Sequence, residues 1–289
     1  MSPIILCIMG PTAVGKSALA LKIASKIPAE IINVDSTQVY RGLDVGTAKA
    51  SLKERETVTH HLIDICETSE RYSAGNFVAD VKKLIPEILS RGKTPILVGG
   101  TMLYFSALQK GLAQLPPADE MIRAELETTL EEKGLDHLFN ELKKVDVTSA
   151  ERIHPNDPQR IMRALEVFKL TGKPLSDLQT QTQQDLPYKF VNWIIAPQDR
   201  SALHASIEKR FDEMLAQGFL DEVKALHAQN ISMDLPAMRA VGYRQALQYL
   251  NGEYDLDTMR EKAIVATRQL AKRQLTWCRG WEGATWFLL

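Results

Sequence analysis

Gly10-Pro11-Thr12-Ala13-Val14-Gly15-Lys16-Ser17 fits G-x-x-x-x-G-K-[ST] at every fixed position. Each fixed residue has a physical task. The glycines let the backbone wrap so that its N–H groups converge on phosphate oxygens, and a helix N-terminus behind them adds favourable partial charge. Lys16 sets an ammonium against the terminal phosphate, and Ser17 offers a hydroxyl to Mg²⁺. The apolar run Ile4–Met9 precedes the motif and helical spacing follows it, which is the strand–loop–helix setting the motif needs. Outside that setting the same letters would mark only a glycine-containing turn.

Such a loop selects a polyphosphate and says nothing of a nucleoside. An ATP-hydrolysing site adds an acid at the end of a second apolar strand, to hold Mg²⁺ and water. Here the strand Pro95–Val98 ends in Gly99-Gly100-Thr101, with no acid. The comparable acid is Asp35, which follows Ile31-Ile32-Asn33-Val34 and leads into Ser36-Thr37-Gln38. The carboxyl end of a parallel strand is where such sheets place their sites. Asp35 can act there as a general base, ligate Mg²⁺ or cap a helix. Thr101 can line the same site or serve as N-cap of the helix that follows it.

To position these groups the chain must alternate strand and helix. Ile4–Met9, Glu30–Val34, His61–Ile65 and Thr94–Val98 read as strands. Ser17–Ile27, Phe77–Ser90 (stopped by Gly92) and Met102–Gln109 read as helices. The alternation predicts an α/β fold, a P-loop NTPase-like parallel sheet flanked by helices. After Pro116-Pro117 the pattern turns helical and polar, with helices over Asp119–Lys133, Gly134–Lys144 and from Asn156-Asp157-Pro158 to Thr171. Gln179–Asp185 reads as a surface loop. Residues 115–187 are therefore expected to form a helical insertion within a core made of 1–114 and 188–289. The core resumes with a strand over Phe190–Ala196, runs through long helices to about Gly280, and closes with a short strand at Trp286–Leu289.

Composition narrows the partners. The chain has 289 residues, 45% apolar and 25% charged, enough for a sizeable core. A net charge of -1 argues against a uniformly basic coat and leaves room for a local one. Residues 239–279 carry eight Lys/Arg against four Asp/Glu. At helical spacing over Leu256–Arg279, Leu256, Met259, Ala263, Ala266, Leu270 and Trp277 share one side, and Arg268, Lys272 and Arg279 the other. Gln159 and Arg163 lie four apart with Arg160 beside them, as a phosphate track or a solvated face would. Cys7, Cys66 and Cys278 are scattered, without metal or disulfide spacing, and no apolar run spans a bilayer. A cytoplasmic protein with no membrane contact is expected. His60 and His61 have no partner at metal spacing and read as structural. Trp193, Trp277, Trp281 and Trp286 read as core.

The chain resembles the tRNA dimethylallyltransferase family, the isopentenyl-diphosphate:tRNA transferases. The resemblance rests on Gly10–Ser17, Asp35-Ser36-Thr37-Gln38-Val39-Tyr40, Gly42-Leu43-Asp44-Val45-Gly46-Thr47-Ala48-Lys49 and His60-His61-Leu62-Ile63-Asp64. It continues through Val98–Tyr104, Asp157–Glu166, Arg239–Arg244 and Lys272–Trp277, in order and over nearly the whole chain. The P-loop alone is common to many families, whereas the aspartate block with the Gly-Gly-Thr block is specific. Without paired Cys and His near its end, the chain resembles the bacterial form rather than the zinc-finger-bearing animal and fungal one.

That resemblance implies dimethylallyl diphosphate as donor, Mg²⁺ as cofactor, and N6 of the adenosine 3′ to the anticodon (position 37) of tRNA as acceptor. It implies Asp35 and Thr101 as catalytic, and Arg210 beside the P-loop as a diphosphate ligand. A tRNA anticodon stem-loop would be held by Asp35, Ser36, Thr37, Gln38, Thr101 and Arg123. Gln159, Arg160, Ile161, Met162, Arg163, Arg239, Ala240, Val241, Gly242, Tyr243 and Arg244 would add to that surface. Lys272, Arg273, Gln274, Leu275, Thr276, Trp277, Cys278 and Arg279 would complete it. The chain is expected to act as a monomer. Three other readings share the P-loop: a non-enzymatic nucleotide-binding module, disfavoured by Asp35 and Thr101 beside an intact loop, a kinase, which needs ATP and an acceptor lid, and a transferase that prenylates free adenylate. The latter needs no tRNA surface, so the insertion and the basic C-terminal helix favour a tRNA enzyme.

Overall fold

The computed structural model describes residues 2–113, 115–179 and 186–289. In chain order it builds β1 (Ile4–Met9), α1 (Lys16–Ala24), β2 (Ala29–Val34), α2 (Leu52–Thr57), β3 (His60–His61), α3 (Ala74–Ser90), β4 (Thr94–Gly99) and α4 (Met102–Lys110). Next come α5 (Glu120–Lys133), α6 (Leu135–Val145), α7 (Val147–Arg152), α8 (Pro158–Thr171) and α9 (Leu175–Gln179). The chain ends with β5 (Lys189–Ala196), α10 (Arg200–Ala216), α11 (Phe219–His227), α12 (Tyr243–Leu250), α13 (Leu256–Arg279) and β6 (Thr285–Leu288). Two compact units result, 1–109 with 186–289, and 110–185.

The first unit holds a six-stranded sheet of order β3-β2-β4-β1-β5-β6, parallel at every pairing. Period-two alternation divides β1 between two cores. Ile5, Cys7 and Met9 pack with α3 and α4 through Phe77, Val81, Ile85 and Phe105. Leu6 and Ile8 pack on the other face with Ile31, Ile96, Val98 and Ala20. The connection after β1 leads past β4 to β2, whereas the chain after β4 returns on the far side of β1, at β5. The crevice between the carboxyl ends of β1 and β4 is therefore the switch point where open α/β sheets bind ligands. A third core joins α10, α11, α12 and α13 to Val39, Tyr40 and Leu43 through Phe211, Phe219, Tyr243 and Met259.

Several elements depart from the sequence reading. The strand expected over His61–Ile65 stops at His61, because Leu62 and Asp64 adopt left-handed φ of 59° and 55°. α2 was not foreseen, although Ser51 and Glu54 form its capping box. Of the expected loop, Gln179 ends α9, and residues 180–185 lie outside the described residues. Trp281 is buried as expected, but Trp277 and Trp286 are 44% and 41% exposed. Among the described residues no helix is long and apolar enough to cross a membrane.

The second unit packs Leu126, Leu138, Leu142, Ile161, Leu165 and Val167 into its own core. Two buried carboxylates organise it. Glu166 accepts from Arg123 Nε (3.0 Å), Arg163 Nη1 (2.6 Å) and the Asp119 N–H (2.9 Å). Asp146 accepts the N–H and hydroxyl of Ser149 (2.9 and 2.6 Å) and those of Ser176 (3.0 and 2.7 Å). Those bonds hold its carboxyl below the ordinary value against the opposing effect of burial. Asp146→Ala strands four donors, and a destabilisation of about 3 kcal/mol is expected. Amide hydrogen exchange should show the loss centred on α7 and α9. In the parent chain the Asp146 contribution is full at neutral pH and disappears as pH falls through the depressed carboxyl value.

Candidate active site

The loop between β1 and α1 is shaped by backbone constraints. Gly10 sits at φ 150°, and a Cβ there would lie 2.1 Å from Ile195 O on β5. Ala13 takes a left-handed φ of 63°, and Gly15 caps α1 in the same region. Lys16 Nζ donates to Pro11 O at 2.5 Å. Burial and the neighbouring Arg210 push the Lys16 ammonium down to about 8, opposed by the attraction of Asp35. Two long-range contacts tie the loop down. The Thr12 N–H donates to Gln274 Oε1 on α13 (2.9 Å), whose Nε2 donates to Gly100 O (2.9 Å). Arg210, on α10, donates to Thr12 Oγ1 (3.1 Å) and Thr47 O (3.3 Å).

The ends of β2 and β4 supply the other functional groups. Asp35 Oδ1 accepts the N–H (2.9 Å) and hydroxyl (2.6 Å) of Thr37, which leaves Oδ2 without a protein partner among the described residues. Thr101 Oγ1 accepts the Ser36 N–H (3.0 Å) and donates to Ser36 Oγ (3.4 Å). Its hydroxyl thus spans two strand ends rather than capping α4. Gln38 Nε2 donates to Thr47 O (3.0 Å). Two cavities open on these groups. One, of about 490 Å³, is walled by Ile207, Phe211, Phe219 and Trp277 with Asp35 and Thr101. The other, of about 800 Å³, holds Lys16, Ser17 and the 44–52 segment. Thr12, Asp35, Thr47, Gly100, Arg210 and Gln274 line both.

A family described as IPP transferase matches residues 38–281. The tRNA dimethylallyltransferases of two Coxiella burnetii strains are each 53% identical over 288 residues, covering 99% of this chain and 93% of the relative. The chain belongs to the IPP transferase family. Solved structures agree with that membership. A full-length tRNA isopentenylpyrophosphate transferase from Bacillus halodurans is 38% identical with a TM-score of 0.72, over 99% of this chain and 90% of that one. A eukaryotic dimethylallyltransferase acting on tRNA is 32% identical with a TM-score of 0.81, over 96% and 70%.

The remaining residues expected in the IPP transferase site fall into distinct settings. On α13, Leu270, Arg273, Gln274 and Trp277 line the smaller cavity. Arg268, Lys272, Leu275 and Arg279 form a second stripe facing a separate depression of about 410 Å³ with Arg200 and Trp286. Leu270 and Trp277, expected to pack, therefore face the cavity. Thr276 is exposed, as are Arg244, Gln159 and Arg160. Arg239 is exposed and pairs with Asp234 at 2.6 Å. Arg239, Ala240, Val241 and Gly242 border the smaller cavity. Arg123 pairs with Glu166 through Nε and Arg163 through Nη1, with Arg163 Nη2 on Pro116 O (2.7 Å), and Met162 is half-buried. The side chains of Ile161, Tyr243 and Cys278 are buried and offer no surface. His61 pairs with buried Glu30 and His60 with Val58 O, each at 2.7 Å, as structural histidines do.

An ammonium near 8 makes anion binding pH-dependent. A diphosphate bound there would raise that value by stabilising the charged form, so its binding would take up a proton. Calorimetric titration of inorganic diphosphate should show affinity weakening as pH rises through about 8, towards a limit of about tenfold per pH unit. Lys16→Met should bind weakly throughout and lose this component of the pH dependence.

Proposed function

We propose that the two cavities are halves of one site, in which Asp35 and Thr101 carry out prenyl transfer from a donor held on the P-loop. The chain is a tRNA dimethylallyltransferase by its family, an enzyme that moves a dimethylallyl group from dimethylallyl diphosphate to N6 of adenosine 37 in tRNA. The supporting observation is that Asp35 and Arg210 line both cavities, while Lys16 lies in one and Thr101 in the other.

The donor diphosphate would lie on the N–H groups of 10–17, against Lys16 and Arg210. Its apolar group would point along the wall of Ile207, Phe211 and Phe219. The ligands available for Mg²⁺ suit a hard cation, since Ser17 offers a hydroxyl oxygen beside the diphosphate oxygens. Bound there, Mg²⁺ would neutralise charge on the leaving diphosphate. In the transfer the allylic C–O bond breaks, its electron pair leaving with diphosphate, and the N6–C bond forms. An exocyclic amine is a poor nucleophile until a base takes its proton as that bond forms. Asp35 fits this role because Thr37 fixes one oxygen and leaves Oδ2 free. Thr101 fits a role in orienting the amine, since its hydroxyl lies at the same strand ends.

An adenine in a stacked anticodon loop must turn out to reach such a pocket. Exposed Arg244, Lys272, Arg273 and Arg279 support a phosphate-binding surface on the first unit, and Gln159 and Arg160 support one on the helical unit.

The test is transfer of labelled dimethylallyl from its diphosphate to unmodified tRNA, with AMP in parallel. Label in tRNA alone is expected. Label in AMP would replace the acceptor, and label in neither would sink the assignment. Asp35→Asn should keep tRNA affinity within about threefold and lose about a thousandfold in turnover. Near-normal turnover in that variant would remove Asp35 as base.

A further inference from the structure

The Gly42–Lys49 stretch stands out in the sequence without a task, and the structure makes it a strap along the larger cavity. It is fastened at both ends. Glu222, on α11, accepts the N–H groups of Asp44 (2.9 Å) and Val45 (2.7 Å) on Oε2 and that of Gly46 (3.1 Å) on Oε1. The Tyr243 hydroxyl donates to the same Oε1 at 2.5 Å. At the other end, the Lys49 ammonium donates to Tyr40 O (2.8 Å), Asp44 (2.5 Å) and Asp64 (2.6 Å), with its side chain 1% exposed. Arg55 holds the second oxygen of Asp64 at 2.7 Å. Between the fastenings lies the Thr47 carbonyl, which accepts from both Gln38 Nε2 (3.0 Å) and Arg210 Nη2 (3.3 Å).

We propose that Glu222 is a positioning residue for prenyl transfer: by fixing the strap it sets the Thr47 carbonyl, and that carbonyl aims Arg210 at the anion on the P-loop. A carboxylate has the lone pairs to receive four donors at once, whereas an amide would turn an NH₂ towards backbone N–H groups. If Thr47 O moves, Arg210 keeps only Thr12 Oγ1 among the described residues, and it regains rotamer freedom that binding must then remove. The proposal rests on the reading of Arg210 as a diphosphate ligand.

The experiment is a double-mutant cycle on the full chain, with inorganic diphosphate affinity as readout, so that it needs neither tRNA nor turnover. Glu222→Gln should weaken diphosphate about tenfold, Glu222→Asp should recover part of that, and tRNA affinity should stay within about twofold. In an Arg210→Ala background, Glu222→Gln should add less than about twofold. Effects that multiply in the double variant, or wild-type diphosphate affinity in Glu222→Gln, overturn the proposal. Arg210→Ala binding like wild type would overturn it through the Arg210 assignment instead, and would leave transfer to tRNA as a separate result. Should Glu222→Gln fail to fold, Tyr243→Phe keeps the carboxylate and its three backbone donors. It should weaken diphosphate about twofold, silently when Arg210 is Ala, and a multiplied loss there overturns the proposal.

Discussion

The backbones of neighbouring strands meet at their carboxyl ends with no room for a side chain. A Cβ on Gly99 would lie 1.9 Å from Val34 O, so β2 and β4 converge only because that position is glycine. The same carbonyl accepts the Thr101 N–H at 3.2 Å. This approach brings the Thr101 hydroxyl onto the Ser36 N–H, one residue from Asp35. Gly10 makes the equivalent approach to Ile195 O on the other side of β1. The P-loop, the carboxylate and the hydroxyl therefore share one site through backbone contact, and the side chains inherit their positions from it.

Charge imposes a second constraint. Lys16 and Arg210 are close enough to lower the Lys16 value, and Asp35 is the opposing charge that holds it up. Burial also lowers the Arg210 guanidinium, again opposed by Asp35. Two cations facing one anion form a site that lacks negative charge, which a diphosphate would supply. The cations are half-buried at the cavity wall, held there by elements distant in sequence. Arg210 comes from α10, and Gln274 from α13 closes the loop from behind.

α13 shows how one helix serves two surfaces. Residues 270, 273, 274 and 277 follow one helical stripe into the cavity, and 268, 272, 275 and 279 follow another to a basic depression. Ala271 and Cys278 form the buried edge. Trp277, on the first stripe, lines that cavity and stays 44% exposed. In the helical unit, by contrast, Arg123 and Arg163 both pair with Glu166, while Gln159 and Arg160 of the same α8 surface are exposed.

Local rules were enough to read much of this protein from its sequence. Short apolar runs marked β1, β2, β4 and β5, the eight-residue motif marked the β1–α1 loop, and Asp157-Pro158 with Gly172 marked both ends of α8. Strand-end positions singled out Asp35 and Thr101, and the family resemblance added Arg210 and the catalytic roles. Other features depend on pairings across long stretches of chain, and no local pattern encodes them. That β3 ends at His61 follows from the left-handed turn at Leu62 and Asp64. That Trp277 faces a cavity depends on what stands opposite α13. That Arg163 is already paired depends on a glutamate three residues on being buried. The Glu222 clamp joins residues 176 to 178 positions apart, and only folding brings a carboxylate on α11 to three consecutive N–H groups of the strap. Sequence fixes the chemistry each residue can offer, whereas tertiary packing decides which of those offers are already taken, because a hydrogen-bonding group satisfied inside the protein is no longer available to a ligand.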